Sequence, residues 1–162
     1  MIYCIDTSSL IHGWNEKYPP EVFASLWNDI ENLINNGDLV STEEVLMELN
    51  AGNDDLSIWA SKQSSFFLPL DNQIQAEAAQ ILSDPINAKV LDSKKVGKNE
   101  ADIWVIATAK VNNLIVISDE TRYLHPNNLQ NARKISIRNV CENINIPHLN
   151  FLEFIKDCKW KY

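Results

Sequence analysis

Four acids stand at positions where a carboxylate is expensive: Asp6, Glu48, Asp102 and Asp119. Asp6 closes the apolar run Met1-Ile2-Tyr3-Cys4-Ile5, and Asp119 follows Leu114-Ile115-Val116-Ile117-Ser118. Glu48 interrupts Val45-Leu46-Met47-Glu48-Leu49, and Asp102 lies within Asn99-Glu100-Ala101-Asp102-Ile103-Trp104-Val105-Ile106-Ala107. Removing a carboxylate from water costs several kcal/mol unless a partner compensates it. Four such acids suggest a shared counter-charge, and a hard divalent cation held by oxygen ligands is the simplest one. The chemistry that follows is metal-assisted hydrolysis.

Each acid also has a structural reading. Ser41-Thr42-Glu43-Glu44 fits a capping box that occupies Glu44 and leaves Glu48 without such a task. At ~100° per residue Glu48 falls roughly 60° from Val45, on the border of the apolar stripe. Asp102, three residues after a candidate cap at Asn99, would complement a helix dipole. The same wheel sets it about 40° from Ile106, toward the core, and Glu100 serves the dipole equally well. Asp6 and Asp119 suit plain turns or caps, so the repeated placement of all four carries the argument. Ser8 and Ser118 are placed to bond carboxylates or to cap helices. His12, His125 and His148 are isolated and receive no role. Lys94, Lys95 and Lys98 form a basic loop read as solvated charge or phosphate contact. Arg122, Arg133, Lys134 and Arg138 are further phosphate candidates. Trp14, Trp27, Trp59 and Trp104 follow helical spacing, as core residues do.

The elements that must position these residues alternate. Strands are expected at Met1 to Ile5, Asp38 to Ser41 and Leu114 to Ser118, with short extended pieces at Phe66 to Leu68 and Lys134 to Ser136. Helices are expected from Asp6 to about Trp14, Pro20 to Ile34 with Gly37 as the stop, and Thr42 to Ala51. Others run from Asp55 to Lys62, Gln73 to Leu82 and Asn99 to Asn112, and near Arg138 to Asn143 and Asn150 to Cys158. Asn87 to Gly97 is the least regular stretch. Continuously apolar strands alternating with helices indicate a parallel sheet covered on both faces, with its site beyond the carboxyl ends of the strands.

The 162 residues fit one domain spanning 1–162. With 45% hydrophobic and 22% charged residues the composition is that of a soluble globular protein. No run approaches the ~20 apolar residues that span a bilayer, and no basic region precedes the first strand as a secretory signal requires. Cys4, Cys141 and Cys158 are odd in number and lie outside CxxC spacing, which argues against a disulfide framework or zinc site and suits a reducing cytoplasm. The net charge of −8 disfavours nonspecific nucleic-acid binding, although cations at an acid cluster reverse the local sign.

Taken together, Ile5-Asp6-Thr7-Ser8-Ser9-Leu10-Ile11, Val45-Leu46-Met47-Glu48-Leu49, Glu100-Ala101-Asp102-Ile103-Trp104-Val105-Ile106-Ala107-Thr108-Ala109 and Val116-Ile117-Ser118-Asp119 resemble the PIN-domain family. That nuclease family includes VapC-type toxins of type II toxin–antitoxin pairs. Lys134-Ile135-Ser136 with Val140-Cys141 resembles its closing strand and helix. The resemblance implies a three-layer α/β/α fold with a central, mostly parallel sheet. It also implies an endoribonuclease that hydrolyses RNA phosphodiester bonds with Mg²⁺ or Mn²⁺ held by Asp6, Glu48, Asp102 and Asp119. Ser118 matches a position where the family usually has a small hydroxyl residue. A cognate antitoxin and a homodimer follow by analogy, with no membrane association. The segment between Glu48 and Asp102 is longer than in compact toxin members.

Two other classes remain open. One is a non-catalytic PIN-fold binding or scaffold module. The other is a phosphotransfer enzyme with Asp6 as nucleophile, disfavoured because position 8 is Ser8 rather than a second acid. The four glycines are dispersed and form no GxGxxG motif, which argues against a Rossmann dinucleotide site.

Overall fold

The computed structural model describes residues 2–91 and 101–162. The expected loop lysines Lys94, Lys95 and Lys98, the candidate cap Asn99, and Met1 lie outside the described residues.

Five strands form one all-parallel sheet in the order β3-β2-β1-β4-β5, where β1 is Tyr3–Ile5, β2 Leu39–Thr42, β3 Phe67–Leu68, β4 Ile115–Ile117 and β5 His148–Leu149. β1 and β2 bury every side chain, as strands covered on both faces do. β1 is central: Tyr3 pairs with Leu39 on one side and Ile115 on the other, and Cys4 with Val40 and Val116.

Eight α-helices among the described residues flank this sheet in a three-layer α/β/α arrangement: α1 Thr7–His12, α2 Ala24–Asn35, α3 Glu43–Asn50, α4 Asp55–Ser61, α5 Asn72–Leu82, α6 Ala101–Asn112, α7 Ile137–Asn143 and α8 Phe151–Asp157. Most starts are written locally. Asp6, Asp54 and Asp71 cap α1, α4 and α5 through their carboxylates, and Ser136 and Asn150 open α7 and α8 with reciprocal capping boxes. Gly37, at φ +70°, ends α2 in the left-handed region that favours glycine. α6 is the exception to amphipathic design. Ala101, Asp102, Ile103, Val105, Ile106, Ala107, Thr108 and Ala109 are all buried, so this helix is enclosed nearly all round.

Several expectations need correction. Lys134 to Ser136 forms no strand. Ile135 donates its N–H to the Lys89 carbonyl, and Ser136 is consumed as the α7 cap. The closing strand is instead His148–Leu149, which pairs with β4 after Pro147 accepts from the Val116 N–H. α2 begins at Ala24 rather than Pro20. The first helix continues past Trp14 by widening into a π-turn over Gly13–Lys17. The capping box at Ser41 does not form: the Ser41 hydroxyl donates to the Ile5 carbonyl across the sheet, and Thr42 is the cap residue.

The core under the sheet is aromatic on one side. Trp14, Trp27 and Trp59 pack with centroids 4.7 to 5.4 Å apart, and Phe151 joins Trp27 and Tyr18. Gly13 packs tightly there: a Cβ at this position would lie 3.0 Å from the Phe151 ring, which would have to shift by a few tenths of an ångström.

Candidate active site

In the order β3-β2-β1-β4-β5 the chain leaves β1 toward one edge and β4 toward the other. The gap beyond the carboxyl ends of β1 and β4 is therefore the switch point where open α/β sheets form crevices. A cleft of about 380 Å³ opens there, lined by Asp6, Thr7, Ser8, Ile11, His12, Glu48, Asp102 and Glu120.

Asp6 follows β1 directly and is 2% exposed. Its Oδ2 accepts from the Ser8 N–H at 3.1 Å, the Ser8 hydroxyl at 2.6 Å and the Ser118 hydroxyl at 3.2 Å, so capping α1 and fixing the carboxylate are one act. Burial raises its pKa against these hydrogen bonds. Glu48 reaches the cleft from α3. Its Oε2 accepts from the Thr7 hydroxyl at 2.6 Å, and burial pushes its pKa up. Asp102, in the first turn of enclosed α6, has its pKa pushed to about 9, first by burial and then by the charges of Asp6 and Glu120. Among the described residues its buried Oδ2 has no hydrogen-bond partner; the Lys134 ammonium stands 3.6 Å away.

The fourth acid is not where the sequence put it. Asp119 does not line the cleft: its Oδ1 accepts from the Phe151 N–H at 2.9 Å and its Oδ2 pairs with Lys17 at 2.8 Å. It thus ties the start of α8 to the π-turn. Glu120 takes the cleft position. Its Oε2 accepts from the Ile137 N–H at the start of α7 at 2.6 Å, its Oε1 lies 3.8 Å from Lys134, and burial raises its pKa. Alternation after β4 carries the signal that would have found it. In extended chain, residues two apart face the same way, and Ser118 meets Asp6 while Glu120 lines the cleft. His12, given no role from sequence, also lines the cleft from the last turn of α1. The Ser8 and Ser118 hydroxyls lie 3.3 Å apart, and Ser8 also accepts from the Asp119 N–H at 3.2 Å. Both serines therefore support Asp6.

Among the described residues no three His, Cys, Asp or Glu side chains form a ready-made metal cage. The acids instead surround a cleft. Their oxygens, the unpartnered Asp102 Oδ2 and their mutual repulsion fit a hard divalent ion of the Mg²⁺ type, which keeps much of its water and takes few protein carboxylates.

Among the described residues no helix is long and apolar enough to cross a membrane. Cys4, Cys141 and Cys158 are free thiols. No curated protein matches the chain. A family profile does, over residues 3–162, and the chain belongs to the family described as Domain of unknown function (DUF4411).

Proposed function

We propose that this protein is a divalent-metal-dependent ribonuclease whose site is the cleft between β1 and β4, with Asp6, Glu48, Asp102 and Glu120 as its acids. The observation that carries the reading is the convergence of four acids from separate parts of the chain on one cleft at the switch point, with a buried Asp102 oxygen left unpartnered among the described residues. Asp119, the fourth acid of the sequence reading, is assigned to positioning, since its carboxylate is taken by Lys17 and Phe151.

Asp6, Asp102 and Glu120 would hold Mg²⁺ or Mn²⁺, which supplies Lewis acidity toward the scissile phosphate and the attacking water. Ser8 and Ser118 fix the Asp6 carboxylate. The Thr7 hydroxyl and the Ala101 N–H both hold the Glu48 carboxylate, which orients it to take the proton of the attacking water. The water oxygen bonds to phosphorus as the bond to the leaving ribose oxygen breaks, and that oxygen takes a proton from solvent.

The finer reading is a PIN-like fold acting as the VapC-type toxin of a toxin–antitoxin pair in the cytoplasm, with a cognate antitoxin and a homodimer as partners. It rests on the four sequence motifs, and the parallel α/β sheet is compatible with it. A non-catalytic binding module is the second reading, favoured by the lack of a ready-made metal cage among the described residues.

The test is cleavage of a mixed RNA pool by purified protein in Mn²⁺, in Mg²⁺ and in EDTA. Cutting confined to the metal arms supports the ribonuclease. Equal cutting in EDTA, or none in any arm together with no Mn²⁺ binding by calorimetry, overturns it.

A further inference from the structure

Lys134 places its ammonium beside two of the cleft acids from a segment held on both sides. The buried Ile135 donates its N–H to the Lys89 carbonyl at 3.0 Å, and Ser136 is locked as the α7 cap. Lys89 in turn donates through Nζ to the Leu129 and Gln130 carbonyls, which ties down the preceding loop. The Lys134 side chain is only 17% exposed, with Nζ 3.6 Å from Asp102 Oδ2 and 3.8 Å from Glu120 Oε1. Both distances exceed a hydrogen bond yet lie within an ion pair. The Asp102 side chain is nine-tenths buried, and among the described residues its Oδ2 has no hydrogen-bond partner. Lys134 thus stands between the two acids without hydrogen bonding to either oxygen.

We propose that Lys134 is the resident counter-cation of the acid cleft, which a divalent ion displaces from Asp102 and Glu120. The inference rests on the metal-dependent reading above. A lysine suits the task, since its charge rides on a flexible four-carbon stem and forms no fixed fork with a carboxylate. An ammonium and a divalent ion beside the same two carboxylates repel each other, so each weakens the other's hold.

The experiment is calorimetric titration of MnCl₂ into metal-free wild type, Lys134→Met and Lys134→Arg, with thermal melts of each in EDTA. Lys134→Met is expected to bind Mn²⁺ roughly tenfold more tightly than wild type and to melt lower in EDTA. Lys134→Arg keeps the charge and is expected to stay near wild type in both. Wild-type binding with equal or weaker affinity in Lys134→Met overturns this inference and leaves the metal site standing. Absence of Mn²⁺ binding in wild type overturns the metal reading itself. Should Lys134→Met fail to fold in EDTA, restoration of a cooperative melt by Mn²⁺ supports the proposal, and failure to restore it overturns the proposal.

Discussion

Replacing Asp102 by Asn keeps the side chain's size and removes one buried titratable carboxyl. In the native fold the Asp102 carboxyl is 7% exposed and pushed up to about 9 by burial and by Asp6 and Glu120, with Lys134 opposing. In the unfolded chain the group titrates at ~3.9. At pH 7 the unfolded chain has released this proton and the metal-free fold retains it, a difference of about 3 pH units. At ~1.36 kcal/mol per unit this costs the fold up to about 4 kcal/mol. A raised folded pKa contributes stability fully below the unfolded value and loses it as pH rises through the folded value. The metal-free wild type should therefore weaken between pH ~4 and ~9. Asn has no such equilibrium, so Asp102→Asn should be more stable than wild type in EDTA at pH 7. At ~2–4 °C per kcal/mol for a chain of this size, the melting temperature should rise by up to roughly 16 °C. The gap should close near pH 4.5. Saturating Mn²⁺ should narrow it from the other side, because a ligand at ~100 times its Kd adds about 2.7 kcal/mol to the wild type alone. The assay is a thermal melt of both proteins at pH 4.5, 7 and 8.5, in EDTA and in Mn²⁺. An Asp102→Asn variant no more stable than wild type in EDTA at pH 7 would refute the reasoning.

The two acids after β4 should separate cleanly. Asp119→Ala leaves the Phe151 N–H unpaired and is expected to cost about 1–3 kcal/mol by urea unfolding, with Mn²⁺ affinity retained. Little of that loss comes from Lys17, whose side chain is 48% exposed. Glu120→Gln should do the reverse: no comparable loss of stability, but Mn²⁺ binding weakened by roughly tenfold or more in calorimetry. Gly13→Ala sets a methyl 3.0 Å from the Phe151 ring, which offsets the helix-propensity gain of alanine, so the same unfolding assay should show a change within about 1 kcal/mol with Mn²⁺ affinity unaltered.

Much of this was legible in the residues. The apolar runs ending in Asp6 and Ser118 gave β1 and β4, and helical spacing placed Glu48 and Asp102 on α3 and α6. Asp6, Glu48 and Asp102 meet at one cleft as their settings suggested. The misses have local causes. Asp119 was favoured because it adjoins the strand directly, yet the extended backbone turns it away and brings Glu120 round two residues after Ser118. Lys134 to Ser136 has the short mixed composition of an edge strand, but Ser136 finds a better use as a cap, and β5 is only two residues long. The Ser136 cap is written within its own few residues, whereas β5 depends on the neighbour that β4 supplies, as β-propensity generally does. His12 was set aside because an isolated histidine carries no pattern, and only the turn from β1 into α1 brings it to the cleft.

The most direct measurement is RNA cleavage by wild type and Asp102→Asn, purified identically, in Mn²⁺ and after EDTA. This account expects metal-dependent cutting by wild type and its loss, by at least about a hundredfold, in a variant that melts at or above the wild-type temperature in EDTA. Undiminished cutting by folded Asp102→Asn would contradict it, because the cleft acid with the unpartnered oxygen would then have no part in the reaction.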